Sequence, residues 1–366
     1  MKREETEDSK FGIIVVVFIA ICLICLIGAY MWYNSSIKAV QKTSEKVKIE
    51  IVGGSGTTKI AEHLKESGLI KDVNAFKVYC KVNKCTSMQA GKYELDKNMS
   101  VKEIVDQLQE GNVVDESVTI TFVEGKNMRW IAKLIAEKTN NSEEDVYNIL
   151  KDEEYINSVI EKYWFITDDI KDEDIYYSLE GYLYPDTYTF ANVDVSVKEI
   201  FNKMLDKMDS VLTPYKNDIE DSKYSIHELL TLASVVELEA TNVEDRAEVA
   251  GVFYNRLNRK MGLQSDVTTY YAIKVDMGER DLTAAELAKN NPYNTRSSSM
   301  YGKLPVGPIA MVSDKSIDAV LNPKSTDAIF FVADKNGKLY FSKNNTEHEK
   351  VIKELKSEGL WYTYEE

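Results

Sequence analysis

The sequence predicts an α+β protein behind a single membrane-spanning helix, and three observations lead there. Phe11 to Tyr33 runs for 23 positions without a charged residue, a length that spans a bilayer core. Short alternating or β-branched runs are interspersed with amphipathic helical patterns along the remaining chain. A capped apolar helix opens at Ser225, with Glu228 three residues on, and carries Glu237 in the middle of one face.

The elements follow in order. Residues 1–10 are short and charged and read as a disordered cytoplasmic tail. Residues 11–33 read as an uncleaved single-pass anchor, since a signal peptide has a shorter apolar region and a small-residue cleavage site. Tyr30, Trp32 and Tyr33 stand at one end of the span, as interfacial aromatics do. Lys2, Arg3 and Lys10 precede it and Lys38, Lys42, Lys46 and Lys48 follow it, so charge alone does not orient it. Residues 34–47 read as a polar linker. Lys48 to Val52 alternates as a strand does, and the glycine-rich turn after it lacks G-x-x-x-x-G-K-[ST], so it is a plain turn and no phosphate cradle. An amphipathic helix then carries Ile60, Ala61, Leu64, Leu69 and Ile70. A second helix over 75–82, a strand over 90–95 and a third helix complete a small α+β module over 48–115. The third helix is boxed by Ser100 and Glu103 and stopped by Gly111.

Beyond it, 118–123 reads as a strand, and 128–139 and 142–152 as helices. Residues 151–174 are acidic and read as a solvated surface segment. Residues 179–190 are dense in aromatics around Gly181 and Pro185; they fit either an aromatic core or a sugar-stacking groove, and core is the commoner outcome. Helices are expected over 197–211, 225–240 and 243–257. Residues 262–268 read as a polar segment between helices, and 292–295 and 304–309 as turn-rich loops able to carry ligand contacts. A hairpin turns at Asn336-Gly337. His348 opens the last helix, where a lone histidine reads as a surface or capping residue.

Composition narrows the chemistry. The net charge of −15 repels nucleic acid, and no basic patch offsets it. Three histidines, none at metal-ligand spacing, argue against a zinc hydrolase and for no cofactor. All four cysteines lie in the first quarter, so no cysteine nucleophile stands in the C-terminal half. Cys80 and Cys85 are near enough in sequence to form a disulfide outside the cell, and two free thiols fit that spacing equally.

At ~100° per residue, Ile226, Leu229, Leu230, Ala233, Val236 and Ala240 share one helix face, and Glu237 falls among them while Glu239 points roughly the opposite way. A carboxylate on a buried apolar stripe is costly to ionise, the condition for a general acid that holds its proton near neutral pH. The plainer reading is a glutamate that reaches solvent or meets Arg246 or Arg256. Leu232 and Val235 lie on the opposite face, which fits a helix buried all round.

Six stretches meet a known family. They are residues 179–188 (Leu-Glu-Gly-Tyr-Leu-Tyr-Pro-Asp-Thr-Tyr), 232–239 (Leu-Ala-Ser-Val-Val-Glu-Leu-Glu), Asn255-Arg256-Leu257, Leu263-Gln264-Ser265-Asp266, Tyr293-Asn294-Thr295 and 304–309 (Leu-Pro-Val-Gly-Pro-Ile). In this order and spacing the chain resembles the membrane-anchored endolytic lytic transglycosylases of peptidoglycan, the YceG-like or MltG family. The resemblance implies a LysM-like module over 48–115, most typical at 89–95, and a YceG-like region over 116–366 whose catalytic core is about 179–355. It implies Glu237 as the catalytic acid/base, with Gln264 and Asn294 as candidates for binding N-acetyl or hydroxyl groups. It implies cleavage between N-acetylmuramic acid and N-acetylglucosamine with closure of a 1,6-anhydro ring, on nascent strands outside the membrane. Peptidoglycan synthases or penicillin-binding proteins are the candidate protein partners. Leu238 stands where a basic residue is common, and Arg296 where an aromatic is common. Two alternatives accompany this reading: Asp266 as the second carboxylate of a true hydrolase, and a non-catalytic peptidoglycan-binding scaffold. A serine acyl-enzyme is rejected, because Ser35-Ser36-Ile37-Lys38 lies beside the membrane span.

Overall fold

A computed structural model of the chain describes residues 4–85, 87–111 and 116–361, and for 4–11 the backbone alone. The chain divides into two compact units, 1–115 and 116–366.

In the first unit, α1 (Glu4–Ser36) begins inside the stretch expected to be disordered. Residues 12–36 of α1 are long and apolar enough to cross a membrane. The expected linker is tied down rather than free: the Val40 and Gln41 amides both donate to the Lys97 carbonyl, at 3.2 and 3.3 Å. The module itself is β1 (Lys46–Ile51), α2 (Thr57–Glu66), α3 (Val73–Val82), β2 (Gly91–Asp96) and α4 (Val101–Glu110). β1 pairs antiparallel with β2 from Lys46↔Asp96 to Ile51↔Gly91. Leu69 and Ile70 lie past the end of α2; Gly68, at φ +70°, turns the chain so that both still enter the core. Ser100 and Glu103 form the capping box of α4, and Gly111 ends it in the left-handed region at φ +72°.

The second unit contains β3 (Val118–Thr121), α5 (Met128–Lys138), α6 (Glu143–Ile149), α7 (Glu153–Lys162), β4 (Thr187–Phe190), α8 (Val197–Leu212) and α9 (Lys216–Glu220). It continues with α10 (Ile226–Glu239), α11 (Val243–Asn258), α12 (Asp266–Ala272), α13 (Ala284–Leu287), α14 (Asp314–Leu321), β5 (Phe330–Ala333), β6 (Leu339–Ser342) and α15 (Asn345–Ser357). β3 pairs with β4, which the sequence had left inside an aromatic stretch. The acidic segment 151–174 is not simply solvated. α7 buries Tyr155, Ile156 and Val159, and Tyr163, Phe165, Ile166 and Ile170 follow them into the core. Its charges occupy the outward positions of a segment whose apolar residues anchor it. Leu179, Tyr182 and Leu183 are fully buried, so the aromatic stretch is mainly core.

Candidate active site

α10 is the axis of the site. Its start is the expected capping box: Ser225 Oγ accepts from the Glu228 amide at 3.2 Å, and the Glu228 carboxylate accepts from the Ser225 amide at 2.9 Å. His227, the second residue of α10, is structural. Its Nε2 donates to the Val306 carbonyl at 2.8 Å, which leaves Nδ1 to accept from Tyr182 Oη at 2.7 Å. The last three residues of α10 then point three ways, because successive side chains on a helix are ~100° apart.

Glu237 does not meet the apolar surround that the helix period suggested. Its side chain is 4% exposed and enclosed by polar partners. Arg246 of α11 pairs with it, Nη2 to Oε1 at 2.8 Å and Nη1 to Oε2 at 3.3 Å. Ser313, the N-cap of α14, donates twice to Oε2, from its amide at 2.9 Å and its hydroxyl at 2.6 Å. Arg246 also donates to Ser313 Oγ at 2.6 Å. The carboxylate thereby joins α10, α11 and the start of α14.

Leu238 packs toward Gly125, which sits at φ +71°; a side chain there would meet Leu238 at 3.2 Å.

Glu239 is half-buried and faces a cavity of about 510 Å³, lined among others by Arg256, Gln264, Ser265, Asp266, Arg296 and His348. Ser265 Oγ donates to Glu239 Oε1 at 2.5 Å. Removal from water pushes the Glu239 carboxyl above the ordinary carboxylate range; Asp266 adds to that rise, while the Ser265 bond, Arg296 and Arg256 oppose it.

The loops around this cavity explain several of the motifs. Arg256 donates to the carbonyls of Leu263 at 2.7 Å and Ile329 at 2.6 Å, so it holds the 262–265 segment in place. Thr295 Oγ1 accepts from the Ser265 amide at 3.1 Å and bonds Thr268 Oγ1 at 2.8 Å, which sets the position of Ser265. Gln264 is exposed at the cavity wall with φ +56°, an uncommon backbone state for a residue with a side chain. Asp266 is the first residue of α12 and pairs with Arg296.

Asn294 is not where a sugar-binding residue would be. It is 1% exposed, and its amide is already engaged: Oδ1 accepts from Thr269 Oγ1 at 2.7 Å, and Nδ2 donates to the carbonyls of Leu287 at 3.0 Å and Lys289 at 2.7 Å. It organises its loop internally. His348 is neither a cap nor a plain surface residue; it stacks on Phe330 with ring centroids 5.1 Å apart and borders the Glu239 cavity.

Two carboxylates lie outside the helix-face pattern. Glu239 points away from the apolar face of α10. That face carries little information in a helix buried all round, and the polar run Gln264-Ser265-Asp266 was the signal that a second wall awaited it. Glu180 is 1% exposed; its Oε2 accepts from the Met128 amide and from Tyr271 Oη, both at 2.9 Å. Burial pushes its carboxyl up to about 7. Among the described residues no group of three or more His, Cys, Asp or Glu is arranged to hold a metal ion. Cys80 and Cys85 are both free thiols in this structure.

The model of the YceG-like family matches residues 49–354. The chain belongs to the YceG-like family. The endolytic murein transglycosylase of Bacillus subtilis (strain 168) is 37% identical over 326 residues, covering 88% of this chain and 89% of that protein. The endolytic murein transglycosylase of Streptococcus pneumoniae D39 is 32% identical over 360 residues, covering 93% of this chain and 64% of that longer protein. A solved yceG-like protein from Listeria monocytogenes superposes with a TM-score of 0.60 at 36% identity, over 84% of this chain and all of that one. The YceG-like match thus takes in both the small module and the unit that holds Glu237 and Glu239.

Proposed function

We propose that this chain is an endolytic murein transglycosylase, anchored by α1 with the 48–115 module and the 116–366 unit on the extracytoplasmic side of the membrane, and that Glu239 is its general acid/base. The activity follows from family membership and from two relatives that carry that name over most of this chain. The 48–115 unit, with two helices between paired strands, fits a LysM-like glycan-binding module.

In the proposed step, protonated Glu239 donates to the glycosidic oxygen between N-acetylmuramic acid and N-acetylglucosamine, and the bond from that oxygen to C1 breaks. The muramic C6 hydroxyl bonds to C1 and its proton returns to Glu239. No water is consumed, and one sugar supplies both reacting groups, so positioning substitutes for a held nucleophile. A retaining or inverting hydrolase would need a second carboxylate. Asp266, the candidate for that role, is exposed and paired with Arg296.

The observation that carries the choice of Glu239 is its open cavity. It can reach a substrate, and its environment favours the protonated form. Glu237 was the expectation from helix geometry; its carboxylate is enclosed by Arg246 and Ser313 instead. Incubating the full-length chain in detergent with purified peptidoglycan tests the assignment. Glu239→Gln should remove 1,6-anhydro products seen by mass spectrometry and leave sacculus binding in place. Persisting products in Glu239→Gln, with loss in a folded Glu237→Gln, would return the role to Glu237. Reducing ends in place of anhydro ends would favour Asp266 and water. Binding without any product would favour a scaffold.

A further inference from the structure

A second cavity, of about 160 Å³, opens on the other side of the α10 terminus. Leu238 and Val267 line it, together with Trp130, Tyr270, Lys126 and Asp276. Val267 also lines the Glu239 cavity, so the two cavities share a wall residue. The two cavities differ in chemistry. The Glu239 side brings two carboxylates, a hydroxyl and two arginines to one place. The Trp130 side brings two half-buried aromatic rings, with the Lys126 ammonium 6.0 Å from the Trp130 ring centroid. Arg129, behind Trp130, is paired with Asp276 at 2.6 Å.

An enzyme that cuts within a strand must hold sugar on both sides of the scissile bond. The Glu239 cavity provides one side. We propose that the Trp130 cavity is a second saccharide subsite, sharing Val267 with the Glu239 cavity and taking a pyranose unit of the same strand. This rests on the transglycosylase reading above. An aromatic ring presents a broad apolar face to the axial C–H face of a pyranose, and few other side chains do so at low entropy cost. Lys126 is placed to attract an anionic substituent on that unit, such as a lactyl carboxylate. Lys126 is the one ammonium among the residues that line this cavity.

Two measurements on the full-length chain in detergent test this. In a Glu239→Gln background, affinity for N-acetylglucosamine oligomers should rise with oligomer length until both cavities are filled. Trp130→Ala should abolish the last gain and Trp130→Phe should keep most of it. In active protein Trp130→Ala should raise KM on long strands about tenfold, the usual scale for one lost hot-spot ring, with a smaller change in kcat. The second measurement does not depend on that variant folding. The chain has four tryptophans, so Trp32→Phe, Trp164→Phe and Trp361→Phe leave Trp130 as the sole emitter. Long oligomers should shift its emission and shield it from iodide. Anhydro products with an unshielded Trp130, or an unchanged length dependence in folded Trp130→Ala, overturn the subsite and leave the reaction. A shielded Trp130 without anhydro products supports the subsite and overturns the reaction.

Discussion

Glu237 and Glu239 sit two residues apart on one helix, each near a serine and an arginine, and their surroundings pull them toward opposite uses. Glu237 is enclosed: Arg246 and both donors of Ser313 meet its carboxylate, and its neighbours are the starts of other helices. Glu239 has one hydroxyl partner and an open cavity beyond it. A buried acid surrounded by donors is held in place as a brace. A buried acid with few donors and a path to substrate is a proton carrier. Residue type and helix position do not separate the two; what arrives from distant sequence does.

The sharpest way to break this comparison is to remove one acid and the cation that holds the other. Glu239→Gln should lower the rate of anhydro-product formation by ~10²–10⁴-fold, the usual share of a general acid, with unfolding unchanged. Arg246→Ala should do the reverse. It leaves a buried carboxylate without its cation, a loss of roughly 3–5 kcal/mol in pairs of this kind. Denaturant unfolding should report it. A rate loss in Arg246→Ala without lost stability would place Glu237 in the chemistry.

Glu180 offers a third buried carboxylate, and a smaller effect. Its carboxyl is pushed up to about 7 from an ordinary 4.5 by burial. Between those values the folded chain keeps a proton that the unfolded chain has released. Stability should therefore be fully present below pH 4.5, fall as pH rises to about 7 and stay level above it. The swing is on the order of 3 kcal/mol. Glu180→Gln should flatten that part of the stability–pH curve, because a neutral amide can still accept from Met128 and Tyr271. An unchanged slope would mean that another group carries it.

The same contrast marks what could be read from the sequence. Local signals were legible: the box at Ser100 and Glu103, the box at Ser225 and Glu228, and Gly111 as a stop all depend on residues within a few positions. β4 was hidden because its partner β3 lies far back in the chain, with Thr121 facing Thr187. α12 spans seven residues, too few to show a period, and its first three lie in the polar run 262–268. Residues 151–174 were read as solvated because their charges outnumber their apolar residues, although the apolar ones fall where α7 and its successor turn inward. At the site, the motifs at 232–239, 255–257 and 263–266 meet at one cavity, which Glu239, Arg256 and Gln264 line. The choice between Glu237 and Glu239 depended on Ser313 and on Ser265, and neither is near in sequence to the acid it touches.

Those two serines give the finest test. Ser265 donates to Glu239 and Ser313 to Glu237, so each can be cut back to alanine with little change in volume. The Ser265 bond favours the charged form of Glu239 against burial and Asp266, which both favour the neutral form. Ser265→Ala removes the opposing contribution, and the Glu239 pKa should rise further. A general acid works only while protonated, so the alkaline limb of the pH–rate profile should move to higher pH. Ser313→Ala should leave that limb in place and lower stability instead, since it strips two hydrogen bonds from a buried ion pair and a cap from α14. If the limb moves with Ser313 and not with Ser265, the proton belongs to Glu237, and the cavity beside Glu239 holds sugar without acting on it.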